Sequence, residues 1–255
     1  MKQGDFSKLA KQYINRPGYS LKLLELIANT PENERGKYKI ADVGAGTGKL
    51  TENLLELGFS VDCVEPNISM LNEGISYTKN KNVEWTQGSG ENTGLKSNTY
   101  DWVLMGSSFH WVDFQKGINE FKRILKPNGK FTAIWNPRNL SASEFHLKIE
   151  EEIEKIVPEL VRKSSGSSGL TNNLTQLLNE LNLFSDVIFS ETEYYLNFEK
   201  SRYIGAWHST NDIQAQAGEE RWKKIIEMIE RETINMDIIP IPYKSRSWTA
   251  YLKVK

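Results

Sequence analysis

The run Ile40-Ala41-Asp42-Val43-Gly44-Ala45-Gly46-Thr47-Gly48 constrains this chain more than any other stretch. A short apolar strand ends in three glycines at alternate positions, and an amphipathic helix opens directly after them. Glycine allows a sharp turn and lets a ligand lie on the main chain with no Cβ in the way. The next apolar segment ends in Glu65, an acid suited to a sugar diol. Strand, glycine turn, helix and strand-end acid together describe a nucleoside site on the edge of a parallel sheet.

Residues 36–136 continue in that rhythm. Tyr38 to Val43 reads as a first strand. Leu50, Leu54 and Leu57 stripe a helix that Gly58 stops, and Phe59 to Glu65 is a second strand carrying Val61, Cys63 and Val64. Pro66 and Asn67 open a helix with Ile68, Met70 and Leu71 inward, and Val83 to Thr86 and Asp101 to Met105 are the third and fourth strands. Phe114, Ile118, Phe121 and Leu125 mark a helix stopped by Pro127 and Gly129, ahead of a fifth strand from Lys130 to Trp135. Such alternation implies right-handed crossovers and a mostly parallel sheet with helices on both faces.

Beyond Trp135 the pattern changes. Ser141-Ala142-Ser143-Glu144 reads as a capping box before a helix with Phe145, Ile149, Ile153, Ile156 and Leu160. The serine- and glycine-rich stretch Lys163 to Gly169 is either a plain connector or a hinge beside a lid. Leu174, Leu177, Leu178 and Leu181 line another helix, Val187 to Phe198 holds one or two strands, and Trp222, Ile225, Ile226 and Ile229 stripe a late helix. Ser247 to Val254 reads as a last, antiparallel strand. The expectation is one domain over residues 1–255, with a sheet core at about 36–136 plus the C-terminal strands, and helical cap segments at about 137–182 and 199–246.

Composition removes several functions. The net charge is −1, so no basic excess calls for nucleic acid or an anionic membrane. The single cysteine, Cys63, excludes an intrachain disulfide, suits a reducing compartment and reads as a small core residue. The opening MKQGDFSKLAKQY lacks an apolar signal core and no stretch is long enough to span a bilayer, which makes the cytoplasm the expected location. Three scattered histidines beside one cysteine give no metal-ligand spacing.

Three glycine-rich loops compete for the motif. A P-loop needs four residues between its glycines and a hydroxyl after the lysine; here Gly44 stands one residue too close to Gly48-Lys49, and Leu50 follows. A dinucleotide loop needs a third glycine where Lys49 stands, which weakens that reading. G-x-G-x-G preceded by an acid fits Asp42, Gly44, Gly46 and Gly48. The acid favours a cation nearby, whereas a pyrophosphate would prefer bare helix N–H groups. S-adenosylmethionine carries an ammonium and a sulfonium, and Asp42 either engages its amino-acid part or caps the turn.

The segments Ile40 to Gly48, Val61 to Asn67, Tyr100 to Met105 and Leu125 to Gly129 together resemble the successive motifs of class I S-adenosylmethionine-dependent methyltransferases. The resemblance covers residues 36–136 and is closest to the small-molecule branch that includes trans-aconitate methyltransferase-like proteins, which carry a segment like Ser108-Phe109-His110-Trp111 after the fourth strand and an N-terminal helix and turn like Phe6 to Tyr13 and Arg16 to Tyr19. It implies a Rossmann-like, mostly parallel seven-stranded sheet. It also implies that Gly44, Ala45, Gly46 and Gly48 floor the methionine part, that Glu65 takes the ribose hydroxyls, and that Pro66 and Met70 flank the adenine. Ser89, Gly90 and Glu91 match the segment that receives the adenine amino group, with Ser89 where the family has an acid. Met105 and Gly106 approach the cofactor's amino acid, and Tyr13 or Arg16 reaches its carboxylate or packs structurally.

Methyl transfer from a sulfonium is an in-line displacement for which the enzyme supplies alignment and exclusion of water, not a nucleophile. A carboxylate acceptor needs no base; a hydroxyl or amine benefits from one. His110, just past the fourth strand, is the candidate for base or positioning group, with Phe109 and Trp111 as pocket walls. Tyr19, Trp135, Arg138 and His208 are further candidates for the acceptor pocket, Arg138 as a partner for an acidic acceptor, while His146 reads as solvent-facing. The expected function is methylation of a small molecule, a carboxylic acid among the candidates, by a monomer or homodimer without nucleic acid or membrane. The alternatives are a nicotinamide-dependent oxidoreductase and a non-catalytic S-adenosylmethionine-binding regulator.

Overall fold

The computed structural model describes residues 9–79, 81–161 and 169–253. Residues 163–168 of the stretch read as a connector or a hinge, the first eight residues and Val254 lie outside the described residues. In chain order the elements are α1 (Ala10–Tyr13), α2 (Leu21–Ala28), α3 (Glu32–Arg35), β1 (Lys39–Val43), α4 (Lys49–Glu56), β2 (Ser60–Glu65), α5 (Ile68–Tyr77), β3 (Val83–Gln87), β4 (Tyr100–Gly106), α6 (Phe114–Ile124), β5 (Leu125–Trp135), α7 (Glu144–Ile156), α8 (Leu170–Glu180), β6 (Phe184–Glu199), α9 (Lys200–Trp207), α10 (Asn211–Glu232) and β7 (Ile238–Leu252). The chain divides into two compact units: a sheet unit of residues 18–136, 169–192 and 245–253, and a helical unit of residues 9–17, 137–161 and 193–244.

The strand order is β3-β2-β1-β4-β5-β7-β6. β1 runs parallel to β2 and β4, β2 to β3, and β4 to β5, while β7 is antiparallel to β5. This is the expected seven-stranded, mostly parallel Rossmann-like sheet. The order reverses between β2 and β4 on either side of β1, and an open α/β sheet leaves its ligand crevice at the carboxyl ends of such strands.

Alternation along the strands builds two apolar layers. Ile40, Val61, Cys63, Trp102, Leu104 and Ile134 pack with Leu23, Leu24, Leu50 and Leu54 of α2 and α4. Ala41, Val43, Val103, Met105, Phe131 and Trp135 pack with Ile118 and Phe121 of α6 and with Leu174 and Leu178 of α8. Because side chains alternate across a strand, the central strands feed both layers and are apolar at most positions. Lys130 is an exception inside β5. It is buried, its Nζ donates to the carbonyls of Ile27 and Ala28 at the end of α2 and lies 4.4 Å from the Trp102 ring centroid, and burial lowers its pKa to about 8. A cation on the last carbonyls of a helix complements their partial charge.

Several sequence expectations need correcting. α8 belongs to the sheet unit and not to a cap, because Leu174 and Leu178 share a core with Phe184 and Trp248. Strand β7 begins at Ile238, so residues 238–246 extend a strand where a cap was expected; of the one or two strands read over Val187 to Phe198, the structure has one, β6. The helix cap before α7 is Ser143, whose Oγ accepts from His146 N, not Ser141. Helix α6 ends at Ile124; residues 126–129 bulge from β5 between Leu125, paired with Tyr100, and Lys130, paired with Trp102. Ile68 is 52% exposed because Asn67 caps the helix and the buried face is Met70, Leu71 and Gly74.

In the helical unit Ile149 and Ile153 of α7, Tyr203 and Trp207 of α9, Ile225 and Ile229 of α10 and Ile239 and Ile241 of β7 form one core. His146, expected in solvent, lies in this unit at 1% exposure beside Tyr203, and burial followed by the Arg138 charge lowers its pKa to about 4. Gly218, at φ 71 and ψ 173, breaks α10 into two helical segments. Among the described residues no helix is long and apolar enough to cross a membrane, and no cluster of histidine, cysteine and acidic side chains is placed to hold a metal ion.

Candidate active site

The glycine turn sits at the tip of β1 and is tied to β2: the amides of Gly44 and Ala45 both donate to Val64 O, at 2.8 and 3.0 Å. Gly44, Gly46 and Gly48 take φ of 70, 60 and 83°, the left-handed region that disfavours any side chain. At Gly44 a Cβ would also strike Ser108 Oγ at 2.7 Å. At Gly46 a Cβ would meet only the Met70 methyl, at 3.4 Å, so the space over this residue is left to something else.

Glu65 faces the same turn from the end of β2. Its Oε2 accepts from Gly46 N and its Oε1 from Asn67 N, both at 2.9 Å, while Asn67 Oδ1 caps α5 through the amides of Ser69 and Met70. Burial raises the Glu65 pKa and the two amides pull against it. Each carboxylate oxygen accepts more than one hydrogen bond, so the acid is oriented by the main chain without being used up. Met70 is buried over Gly46 and Pro66 is exposed beside it.

Asp42 is wholly buried beneath the turn. Its Oδ2 accepts from Thr51 Oγ1 at 2.6 Å, and its Oδ1 is buried without a hydrogen-bond partner. Burial raises its pKa to about 7, with Thr51 opposing and the Glu65 charge adding. Cys63 is buried as expected, its Sγ 3.1 Å from the same Thr51 hydroxyl.

After β3, the Ser89 hydroxyl accepts from Glu91 N and Asn92 N, shaping its own turn. Glu91 Oε1 accepts from Asp113 N, and a Cβ on Gly90 would strike Val112, so this turn is held against the segment that follows β4. At the tip of β4, Met105 is buried with its methyl near Gly44, and Gly106 lies under the Tyr19 ring, where a Cβ would meet the hydroxyl at 2.7 Å. Tyr19 Oη donates to Ser107 Oγ, Ser107 takes φ 53°, and Ser108 Oγ donates to Val43 O.

That turn delivers a short helical segment, Phe109–Trp111. His110 Nδ1 accepts from Trp135 Nε1 at 3.5 Å, its ring lies 4.8 Å from that of Trp111, and burial lowers its pKa to about 4. Trp111 is 58% exposed. Phe109 and Trp135 are fully buried and do not wall a pocket: Phe109 packs on Phe114, Phe121 and Phe131, and Trp135 on Trp248. Their side chains point into the layer under α6 because the strand alternation fixes Trp135 inward.

Tyr13, Arg16, Arg138 and His208 belong to the helical unit. Arg16 donates to Ser209 Oγ and O and stacks on Tyr13, whose pKa burial raises. Arg138 lies 4.2 Å over the Trp207 ring and 4.0 Å from Glu150, a core cation of that unit. The His208 ring stands edge-on to Trp222. Residues that sequence reasoning passed over are Thr51, Asn53 and Ser107; Asn53 Oδ1 accepts from Tyr19 N and so seats Tyr19. A hydroxyl one residue past a strand's end, as at Ser107, was the available signal.

Residues 41–133 match a family model described as a methyltransferase domain. An uncharacterized methyltransferase of Mycobacterium tuberculosis is 37% identical over 101 residues, covering 40% of this chain and 41% of the relative, so the chain spans less than half the length of the first curated relatives it matches. One from Schizosaccharomyces pombe is 24% identical over 240 residues, 90% of this chain and 91% of that one. A solved structure from Anaeromyxobacter dehalogenans, provisionally described as a type II methyltransferase, aligns at a TM-score of 0.67 and 14% identity over 94% of this chain and 99% of its own. A phosphoethanolamine N-methyltransferase of Haemonchus contortus, solved with phosphomonomethylethanolamine and S-adenosylhomocysteine, aligns at 0.55 and 15% identity over 98% of this chain and 58% of its own. At these identities the likeness is one of fold. The stretch matched by that family model, residues 41–133, carries the glycine turn, Glu65 and His110.

Proposed function

We propose that the protein transfers the methyl group of S-adenosylmethionine to a small-molecule acceptor, a carboxylic acid among the candidates, in keeping with the motif resemblance to trans-aconitate methyltransferase-like proteins. The observation that carries this reading is the bare main chain at Gly46, with space above it closed only by Met70 and with Glu65 oriented beside it by two amides. That pairing suits a nucleoside whose ribose meets Glu65 and whose amino-acid part crosses the glycines. The unpartnered Asp42 Oδ1 is an acceptor left over for the ammonium side of such a ligand. The bound group would supply an electrophilic methyl; the chain's own residues bind, orient and keep water away.

A nicotinamide reading fits less well, since Lys49 opens helix α4 where a dinucleotide loop needs glycine. Calorimetry with S-adenosylhomocysteine, run against NADH, tests the cofactor. Incubation with methyl-labelled S-adenosylmethionine and trans-aconitate, succinate, benzoate, simple amines and phenols tests the acceptor class. Label in the carboxylic acids supports the reading; tight NADH binding with no heat from S-adenosylhomocysteine overturns it, and label only in amines or phenols overturns the acceptor class.

A further inference from the structure

We propose that His110 is held as the Nε2–H tautomer and serves as a neutral hydrogen-bond donor to an oxygen of a carboxylate acceptor, a positioning residue and not a general base. The inference rests on the methyltransferase reading above and adds to it what His110 does.

The indole nitrogen of Trp135 is a donor only. Its hydrogen bond to Nδ1 therefore requires that Nδ1 be unprotonated. A neutral imidazole then carries its one proton on Nε2. Trp135 cannot turn away to release the ring, because it is fully buried in the layer under α6 and packed edge-on against Trp248. Among the described residues Nε2 has no protein partner, and the half-buried ring lies against the exposed face of Trp111. No charged side chain contributes to the depressed pKa of the ring; burial alone lowers it. The imidazole thus stays neutral through the physiological range and offers an N–H, with its one lone pair already occupied.

The segment that presents this donor is held at several points. Ser107 N donates to Ile134 O, Tyr19 Oη donates to Ser107 Oγ, and Ser108 Oγ donates to Val43 O beside Gly44. A non-glycine residue at positive φ, Ser107, marks a turn whose geometry its surroundings enforce. These ties join the segment to the tip of the strand that carries the glycine turn.

A neutral donor matches an acceptor that is already an anion. When a carboxylate oxygen attacks, its lone pair forms the C–O bond while the C–S bond breaks and leaves its electron pair on sulfur. A sulfonium and a carboxylate become a neutral thioether and a neutral methyl ester, and no proton moves. A base has nothing to remove, whereas an N–H on the non-attacking oxygen fixes the acceptor's orientation. A phenol or ammonium acceptor would need the lone pair that Trp135 occupies.

The test is long-range proton–nitrogen NMR on the full chain labelled at histidine, with the His110 signals assigned by their loss in His110→Gln. The expected result is an Nε2-protonated ring that keeps its form from about pH 6 to 9, and a mixed tautomer in Trp135→Phe. With S-adenosylhomocysteine present, trans-aconitate, succinate or benzoate should shift the Nε2 signal. An Nδ1–H tautomer, a titration near neutral pH, or no shift with any of the three acids would overturn the proposal. In the methyl-transfer assay His110→Ala should raise KM about tenfold with kcat nearly kept, and His110→Gln, whose amide N–H replaces the donor, should restore KM to within about threefold. Equal collapse of kcat in both variants would establish a base and overturn it. Failure of S-adenosylhomocysteine to bind would instead remove the methyltransferase reading, since the tautomer is measured without cofactor.

Discussion

Glu65 accepts one main-chain N–H from the glycine turn and one from the start of α5, so a single carboxylate couples the two walls of the site. Glutamine at this position has a carbonyl for one amide and an NH2 facing the other, a donor against a donor. Glu65→Gln should therefore weaken S-adenosylhomocysteine binding as much as alanine does, and Glu65→Ala should cost about 1.5–3 kcal/mol, roughly 10- to 150-fold in Kd by calorimetry. At Gly46 two demands coincide, the positive φ and the open space over the Cα, whereas at Gly44 the collision with Ser108 is internal to the fold. Gly46→Val should abolish measurable binding while circular dichroism reports a folded chain; an unchanged Kd in a folded variant would refute the site. Motif residues were legible here because backbone conformation and strand-end position dictate residue type. Phe109 and Trp135 were misread as pocket walls because an aromatic near a strand's tip looks the same in sequence whether it faces the core or the crevice.

At the scale of elements, the connection between β3 and β4 is fastened to α6 by one acid. Glu120 Oε1 accepts from Thr93 N and from Thr93 Oγ1, and Arg123 donates to both Glu120 oxygens while also reaching Ser97 Oγ and Leu95 O. Burial pushes the Glu120 carboxyl up, but the bonds from Arg123 and Thr93 outweigh it and hold the pKa at about 2. A folded-state pKa below the unfolded value contributes stability that is fully present above about pH 4.5 and is lost as pH falls toward 2. Glu120→Gln should flatten the acid limb of a urea-midpoint profile between those values and leave the neutral-to-alkaline shape unchanged. A limb of the same slope in the variant would show that other carboxylates dominate acid unfolding. The parallel strands were legible from short apolar runs such as Val103-Leu104-Met105 and Ala133-Ile134-Trp135 set between turn and helix signals. The apolar stripe of α7 was legible as well, since Ile149 and Ile153 are buried, but His146 was not: it shares that face, and a histidine in that series looks polar until burial is known.

For the whole molecule, chain order and packing diverge after Trp135, which is why residues 137–252 were only partly readable. α8 joins the sheet unit although its sequence neighbours on one side do not, and β6 and β7 supply residues to both units. Local periodicity reports which face of an element is apolar; it does not report which of two cores that face enters. The two cores do make different predictions for ligand binding. A ligand that binds only folded protein stabilises it by RT ln(1 + [L]/Kd), about 2.7 kcal/mol at 100-fold over Kd. Amides of Ala41 to Val43 and Val103 to Met105, central in the sheet and next to the site, exchange only when that unit opens. S-adenosylhomocysteine at that excess should slow their hydrogen exchange by about 100-fold. NADH at the same concentration should leave them unchanged, since Lys49 stands where its pyrophosphate loop requires glycine. Protection by NADH and none by S-adenosylhomocysteine would transfer the glycine turn to a dinucleotide, whatever the fold it sits on.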